Sequence, residues 1–341
     1  MSMGVLKGYI EVLIALLLLV CYFVTNKAFQ KRVGSDAASS MTYSCTRGFV
    51  TALLFFLAYY LINRHTPVIT WYSAAMSAGL ALFVVGYTLV GFKVMNYGSL
   101  SVYTVFLMLG GMILPYLYGV IWLNESVNPF RIAGIVIMIV SMFLPLLEKR
   151  GGDTASGNVP KQGKPWLFTV LCLLVFFMNG TVSVISKTHA AGVFSLPSSD
   201  SMTFVMLCAL FNGILSGIIL LGINIRKKLA LKKNRTIPGQ GVDTASGTVR
   251  EETGGAAPRA ALVRAVAIIV FLAAIFDGAS FFFQQLGAAE LPASVMYPIQ
   301  TGGSIVLSAL AGFLIFKEKP SKIALIGLCI TFASTFLFLI E

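Results

Sequence analysis

The feature of this sequence that most constrains its fold is an internal repeat, which covers residues 101–146 and recurs at 294–339. When the first copy is slid along the chain until Glu125 falls on Glu318, three glycines of one copy also fall on glycines of the other. The aligned pairs are Gly110 and Gly303, Gly119 and Gly312, and Gly134 and Gly327. Each copy has a long apolar segment, a short polar break that holds the glutamate, and a second apolar segment. A repeat of this kind predicts a fold built from two related units.

The composition places these units in a membrane. Hydrophobic residues make up 57% of the chain and charged residues only 11%, against about 25% charged residues in soluble domains. The apolar runs are continuous and roughly 20 residues long, which is the length of a membrane-spanning helix rather than of an alternating barrel strand. The net charge of +12 lies in the connections between these runs, where it favours contact with lipid headgroups over nucleic acid.

Counting the apolar runs predicts the topology. An odd number of spans in each half means that the second half enters the membrane from the opposite side. We therefore expect an all-α integral membrane protein with ten transmembrane helices in two inverted five-helix repeats. The repeats would cover residues 1–149 and 165–341, with a linker at 150–164 and a disordered polar loop at 225–261. The spans are expected at 8–25, 43–63, 70–92, 99–123, 130–147, 166–186, 202–224, 262–286, 292–316 and 322–340.

The distribution of lysine and arginine predicts an orientation. Most of these residues lie in connections that follow odd-numbered spans, and Arg47 begins the second span. The positive-inside rule then places both termini outside the cytoplasm. We expect a multi-pass protein of the plasma membrane, which is the inner membrane if the cell is Gram-negative. The N-terminus and the connections on its side hold Lys7, Arg64, Arg131 and Lys187.

The two copies also carry a family resemblance. They read YGSLSVYTVFLMLGGMILPYLYGVIWLNESVNPFRIAGIVIMIVSMFL and AAELPASVMYPIQTGGSIVLSALAGFLIFKEKPSKIALIGLCITFAS. Small residues open the helix, a proline lies within it (Pro115, Pro298), the glutamate ends it, and a glycine follows nine residues later. This pattern resembles the EamA-like branch of the drug/metabolite transporter superfamily, best over spans three to five and eight to ten.

That resemblance implies ten helices in two inverted halves and a secondary transporter. Family members export amino acids, other metabolites or drugs, or move sugar nucleotides and lipid-linked sugars. They usually have both termini in the cytoplasm, which is the opposite of the orientation that the charge distribution predicts here. The direction of substrate movement does not depend on this choice.

Asp277 is the first candidate for a functional residue. It lies in the middle of its span, and Ser280 and Gln284 follow on the same helix face. In such folds the substrate sits near the midplane between the repeats, where an ionisable group costs about 2.5–3.5 kcal/mol on insertion scales. Asp277 is therefore a candidate proton-coupling carboxylate or ligand for a substrate amine. A structural ion pair or hydrogen bond inside the bundle remains the alternative.

Arg47 is the second charged candidate. Guanidinium geometry suits a substrate carboxylate, but the position of Arg47 at the start of a span favours contact with lipid headgroups. Neutral hydrogen-bonding groups would complete a cavity on an otherwise apolar wall, with interhelical hydrogen bonds as the alternative for each. The neutral candidates are Tyr103, Asn179, Gln284, Tyr297 and Gln300.

The glutamates and glycines of the repeat are expected to be structural. Glu125 and Glu318 should bind backbone N–H groups of the helix that follows each of them. The repeat glycines should allow helices to approach closely. The same is expected of Gly213 and Gly217, which are four residues apart.

Other function classes are less well supported by the residues. A membrane-embedded enzyme would need a set of catalytic side chains. The sequence has no H-E-x-x-H or G-x-S-x-G motif, and both histidines (His65, His189) are expected in connections. We expect no catalysis and no cofactor. The expected partners are a small-molecule substrate, the bilayer and, as candidate coupling ions, protons, with a monomer or homodimer as the assembly. A translocator of nucleotide sugars or lipid-linked sugars is the alternative, and a groove open to the bilayer would distinguish the lipid-linked case.

Overall fold

The structure is a computed structural model that describes residues 3–34, 36–94, 100–147, 165–235, 256–317 and 321–340. The predicted linker at 150–164 and Glu318 lie outside these residues. The described chain forms ten α-helices and ends in a 3-10 turn at Phe336–Leu339. The helices are α1 (Met3–Val33), α2 (Ala37–Asn63), α3 (Trp71–Val94), α4 (Leu100–Trp122), α5 (Pro129–Leu147), α6 (Pro165–Ala190), α7 (Ser201–Arg235), α8 (Ala256–Glu290), α9 (Ala293–Phe316) and α10 (Lys322–Thr335).

The length and composition of these helices match a bilayer. Within the described residues, nine helices are long and apolar enough to cross a membrane, and α5 is a shorter apolar helix over Pro129–Leu144. Large apolar side chains cover their outer faces, such as Leu82, Ile218 and Leu314, which are 59%, 61% and 70% exposed. A soluble monomer rarely exposes contiguous apolar surface of this extent. The prediction of a helical, multi-pass membrane protein is therefore confirmed.

Several helices run past the ends of their apolar spans. Helix α1 continues to Val33, α7 continues to Arg235, and α8 begins at Ala256. The predicted loop at 225–261 is therefore helical at both of its ends, and its residues 236–255 lie outside the described part. Hydropathy falls where lysine and arginine begin, but these residues and alanine are good helix formers. The boundary of the apolar segment is thus not the boundary of the helix.

The two halves of the chain pack mainly against each other. Helix α1 packs on α8 and α9, and α6 packs on α3 and α4. Across the halves, α2 pairs with α7, α4 with α9, and α5 with α10. One buried cluster joins Met112 of α4, Met138 of α5, Val295 of α9 and Phe338 of the final turn. Eight helices, α1–α4 and α6–α9, surround a central space.

The first helix of each copy ends at an equivalent left-handed residue, and the equivalent glycine carbonyl is hydrogen-bonded in both copies. Asn124 and Lys317, which occupy equivalent positions, both adopt left-handed backbone conformations with φ of 53° and 55°. The Glu125 N–H donates to the carbonyl of Gly119 over 3.0 Å, and the Lys317 N–H donates to the carbonyl of Gly312. This is the helix-ending arrangement that satisfies otherwise unpaired carbonyl groups. The shared register seen in the sequence therefore has a local structural counterpart.

Candidate functional site

A cavity of about 360 Å³ lies at the centre of the bundle, with residues of α1–α4 and α6–α9 in its wall. Its lining includes Leu19 of α1, Gly111 of α4 and Ser304 of α9, each close to the middle of its helix. The volume falls within the roughly 300–1,000 Å³ of small-molecule sites. The described structure thus encloses a space at the depth where the bilayer midplane would lie.

The wall of this cavity contains an ion pair. Nη1 of Arg47, on α2, donates to Oδ2 of Asp277, on α8, and both residues line the cavity. The Arg47 side chain is 11% exposed and that of Asp277 is 32% exposed. The guanidinium is therefore enclosed, whereas part of the carboxylate faces the open space.

Two aromatic rings lie near the guanidinium of Arg47, and one of its own nitrogens has no hydrogen-bond partner among the residues that the structure describes. Its central carbon lies 5.1 Å from the ring centroid of Tyr22 and 5.9 Å from that of Tyr43, within the range of a cation–π interaction. Within the described part of the chain, Arg47 Nε is buried without a hydrogen-bond partner. A buried donor without a partner costs about 1–3 kcal/mol, so this nitrogen is an unsatisfied polar group beside the ion pair.

Two glycines bring the charged residues to this place. Gly48 follows Arg47, and a Cβ there would lie 2.7 Å from the carbonyl oxygen of Ala209 and 2.8 Å from the backbone of Gly213 on α7. Gly278 follows Asp277, and a Cβ there would lie 2.7 Å from Cγ2 of Thr51 on α2. Each charged side chain thus sits next to a glycine at which two helices pack closely. The prediction that Gly213 allows close packing agrees with this contact.

The neutral wall of the cavity is polar in several places. Nδ2 of Asn179 donates to the carbonyl of Leu107 over 2.7 Å, and the hydroxyl of Tyr297 donates to the carbonyl of Ser183 over 2.7 Å. Gln284 and Gln300 also line the cavity, and Oε1 of Gln300 is a buried acceptor without a partner among the described residues. Six of the seven predicted site residues therefore meet at one cavity.

Tyr103 is the exception. It is buried against Val94, Leu171, Cys172 and Val175, and it is not part of the cavity lining. It therefore packs α4 against α3 and α6. The preferred interpretation of Arg47 also fails, because its side chain turns into the bundle instead of reaching lipid headgroups.

Asn212 is a cavity residue that the sequence reasoning missed. Its Oδ1 accepts from the hydroxyls of Ser44 over 3.0 Å and Ser216 over 3.2 Å, and the residue lines the cavity. With Oδ1 occupied, its amide NH₂ is the group left to donate. The sequence contained a signal that could have indicated Asn212. It precedes Gly213 on α7, just as Arg47 precedes Gly48 on α2.

A second group of polar contacts lies next to the cavity, toward the end where α1 begins. Nζ of Lys187, on α6, donates to the carbonyls of Ala288 and Leu291 at the end of α8, over 2.6 Å each. The carboxylate of Glu125 accepts from the N–H groups of Ala293 and Ser294 at the start of α9, over 2.6 and 2.8 Å. Each charge sits at the helix end whose dipole stabilises it. Glu125 was predicted to bind the helix that follows it, but its partner is α9 in the other copy.

Two further bonds lie between this layer and the cavity. The hydroxyl of Ser186 donates to Oε1 of Gln285 over 3.3 Å, and the Tyr297 hydroxyl binds Ser183 as described above. Lys187, Gln285 and Tyr297 are 4%, 1% and 2% exposed, so little space remains for water. We call the contacts made by Glu125, Ser186, Lys187 and Tyr297 the sealing cluster. All of them join α6 or the α4–α5 connection to α8 or α9.

The comparisons with known proteins bear on the fold alone. No protein-family model and no curated protein sequence matches this chain. Among 29 matching chains of solved structures, one described only as "Crystal structure of protein" superposes with a TM-score of 0.63 at 14% sequence identity. The match covers 98% of this chain and 95% of the other. The arrangement of helices over nearly the whole chain therefore recurs in a solved structure.

Proposed function

We propose that the protein is a secondary transporter of the EamA-like branch of the drug/metabolite transporter superfamily, which exports a small metabolite or an amino acid through the central cavity. The observation that carries this proposal is the Arg47–Asp277 pair. Two charges held in the middle of a membrane bundle are costly, and these two stand beside a space of ligand size.

The helix pairing supports the inverted-repeat part of the proposal. The main packing partners are retained when α1–α5 are exchanged with α6–α10, because α1 on α8 and α9 corresponds to α6 on α3 and α4. The same exchange leaves the pairs α2/α7, α4/α9 and α5/α10 unchanged. This is the pattern expected for ten helices related by a pseudo-twofold axis in the membrane plane.

The sealing cluster supports alternating access. In this state it closes the end of the cavity where α1 begins. The repeat register makes Glu318 the counterpart of Glu125, and residues 100 and 101 the counterparts of Ala293 and Ser294. We propose that the equivalent region of the other copy closes the opposite end in the other state. Opening one end while the other closes would carry a substrate past the Arg47–Asp277 pair.

The test begins with the substrate. Metabolites exported by cells that overproduce the native protein are compared with those from cells that produce Asp277→Asn, and flux of the identified compound is then measured in proteoliposomes with and without a proton gradient. We expect Asp277→Asn to abolish gradient-driven flux. Glu290→Gln, which removes an exposed carboxylate from the same helix, is the matched control and should retain it. Equal gradient-driven flux in Asp277→Asn would remove Asp277 as the coupling group.

One observation favours a second candidate, a translocator of lipid-linked sugars. An apolar groove opens on the outer face of α2 and α8, as such a substrate would require. Tyr43 lies in the groove and against Arg47, and it is 6% exposed. The groove and the cavity share no lining residue, so we rank this candidate second.

A further inference from the structure

The groove on the outer surface is independent of the central cavity. It has a volume of about 810 Å³ and lies where α2 meets α8, with Phe29 of α1 also in its wall. Its α2 side presents Thr42, Thr46 and Val50. Its α8 side presents eight apolar residues between Leu262 and Leu272.

The surroundings of the groove indicate what fills it. Val263, Ile268 and Phe271 are 62%, 59% and 48% exposed, and all three lie in a candidate membrane span, Ala261–Glu290. At that depth the neighbouring molecules are bilayer lipids. A groove with walls this apolar suits a hydrocarbon chain rather than a polar ligand.

Two arginines stand at the mouth of the groove. Arg264 lies on the same α8 face as Ala267, Ile268 and Phe271, because they follow it by three, four and seven residues. Arg32 follows Phe29 by three residues on α1. Phe29 and Ile269 share one buried cluster, and α1 and α8 run antiparallel, so Arg32 and Arg264 lie near the same level, beside the end of the groove that Leu262 and Val263 form. Both are exposed.

We propose that this groove binds one anionic phospholipid, with its phosphate held by Arg32 and Arg264 and one acyl chain lying between α2 and α8. Paired guanidinium groups match the geometry of phosphate. Basic pockets at the end of membrane helices bind anionic headgroups in the same manner. The site depends on the membrane placement of the helices and not on any transport activity.

The bound chain would also act on the cavity. Tyr43, in the wall of the groove, has its ring centroid 4.4 Å from that of Phe29. The same ring lies 5.9 Å from the guanidinium carbon of Arg47. An acyl chain against Phe29 and Tyr43 would hold this pair of rings in place. The lipid would thereby stabilise the arrangement of Arg47.

The test uses the full-length purified protein in nanodiscs of phosphatidylcholine, with or without added phosphatidylglycerol. We expect phosphatidylglycerol to raise the Tm by about 2–4 °C and native mass spectrometry to retain one such lipid per chain. Ala267→Trp, which fills the groove, should remove both effects, and Arg32→Gln and Arg264→Gln should weaken both. Inorganic phosphate has no chain to fill the groove and should leave the Tm unchanged.

Matched controls distinguish lipid binding in the groove from a general attraction of anionic lipid to positive charge. Lys31→Gln removes the same charge one position from Arg32, where Lys31 stacks on Phe316 instead. Val136→Trp adds the same indole to an exposed site on α5. Both should retain the native response. Full retention of the response in Ala267→Trp, or equal losses in Lys31→Gln and Arg32→Gln, would overturn the proposal, and the Tm in phosphatidylcholine alone reports whether each variant folds.

Discussion

The Arg47–Asp277 pair and the sealing cluster hold buried charges in two different ways. In the sealing cluster, Lys187 and Glu125 bind backbone groups at the end of α8 and the start of α9, and no cavity separates them from these partners. At the centre, the charges bind each other beside an open space, and Arg47 Nε has no partner within the described chain. The first arrangement is suited to joining helices, and the second to exchanging one partner for another.

The largest expected effect comes from breaking the central pair. Arg47→Met should lower the free energy of unfolding by about 3 kcal/mol, because it leaves the Asp277 charge without its partner. Arg47→Met combined with Asp277→Leu should recover most of that loss, since neither charge remains. Equilibrium denaturation of the purified variants measures both values. Additive losses in the double variant would mean that the two charges do not depend on each other.

Opening the sealing cluster should have the next largest effect. Lys187→Met leaves two buried carbonyls without their donor, which costs about 2 kcal/mol, and should loosen the closed end. Cys208 lines the cavity and is 5% exposed, so its reaction with a membrane-impermeant maleimide reports access. We expect labelling to accelerate by about tenfold, which corresponds to roughly 1.4 kcal/mol in an opening equilibrium.

Two comparisons interpret that labelling. Cys208→Ala in the same background should remove the acceleration, which assigns it to the cavity; labelling of the other cysteines stays as the baseline. Glu125→Gln should accelerate labelling in the same direction as Lys187→Met. Unchanged labelling in both variants would show that these contacts do not close the cavity.

Gly119→Ala should give a smaller change at the same place. A Cβ on Gly119 would lie 2.6 Å from Oε2 of Glu125, which would displace the carboxylate from the start of α9 at a cost of about 1 kcal/mol. The same Cys208 labelling should increase, but less than in Lys187→Met. Gly222→Ala is the matched control, because no atom lies within 4 Å of the added Cβ, and it should leave labelling unchanged.

The smallest effect is expected at Tyr103. Tyr103→Phe should leave transport unchanged, because its ring packs among α3, α4 and α6 away from the cavity. Tyr297→Phe removes the hydroxyl that binds Ser183 and should alter flux. Flux per folded molecule compares the two variants. An equal loss of flux in both variants would show that Tyr103 belongs to the transport site.

The helices themselves were largely predictable from the sequence. The span expected at 292–316 forms Ala293–Phe316, and the one expected at 99–123 forms Leu100–Trp122, because a continuous apolar run bounded by polar breaks has few alternatives in a membrane. The extension of α7 to Arg235 was not predictable from hydropathy, since lysine and arginine continue a helix after the apolar segment has ended.

The sequence predicted most of the residues that belong to the site, but not how they contact each other. Asp277 stood out because a carboxylate in the middle of a span is costly, but its partner is 230 residues away in the chain. No local pattern shows which helices face each other, so Arg47 was assigned to the headgroup region instead. His189 was expected in a connection, yet it lies in α6 and its Nε2 is 2.8 Å from the Ser73 hydroxyl oxygen. Contacts of this kind are set by tertiary packing.

The most direct test of the central claim is substrate flux through the Arg47→Met, Asp277→Leu double variant, measured in proteoliposomes and normalised to folded protein. Because this variant lacks both charges without leaving either one unpaired, loss of flux would not reflect loss of the fold. We predict a folded protein that carries no substrate. A folded double variant with native flux would contradict the assignment of these two residues to the transport site.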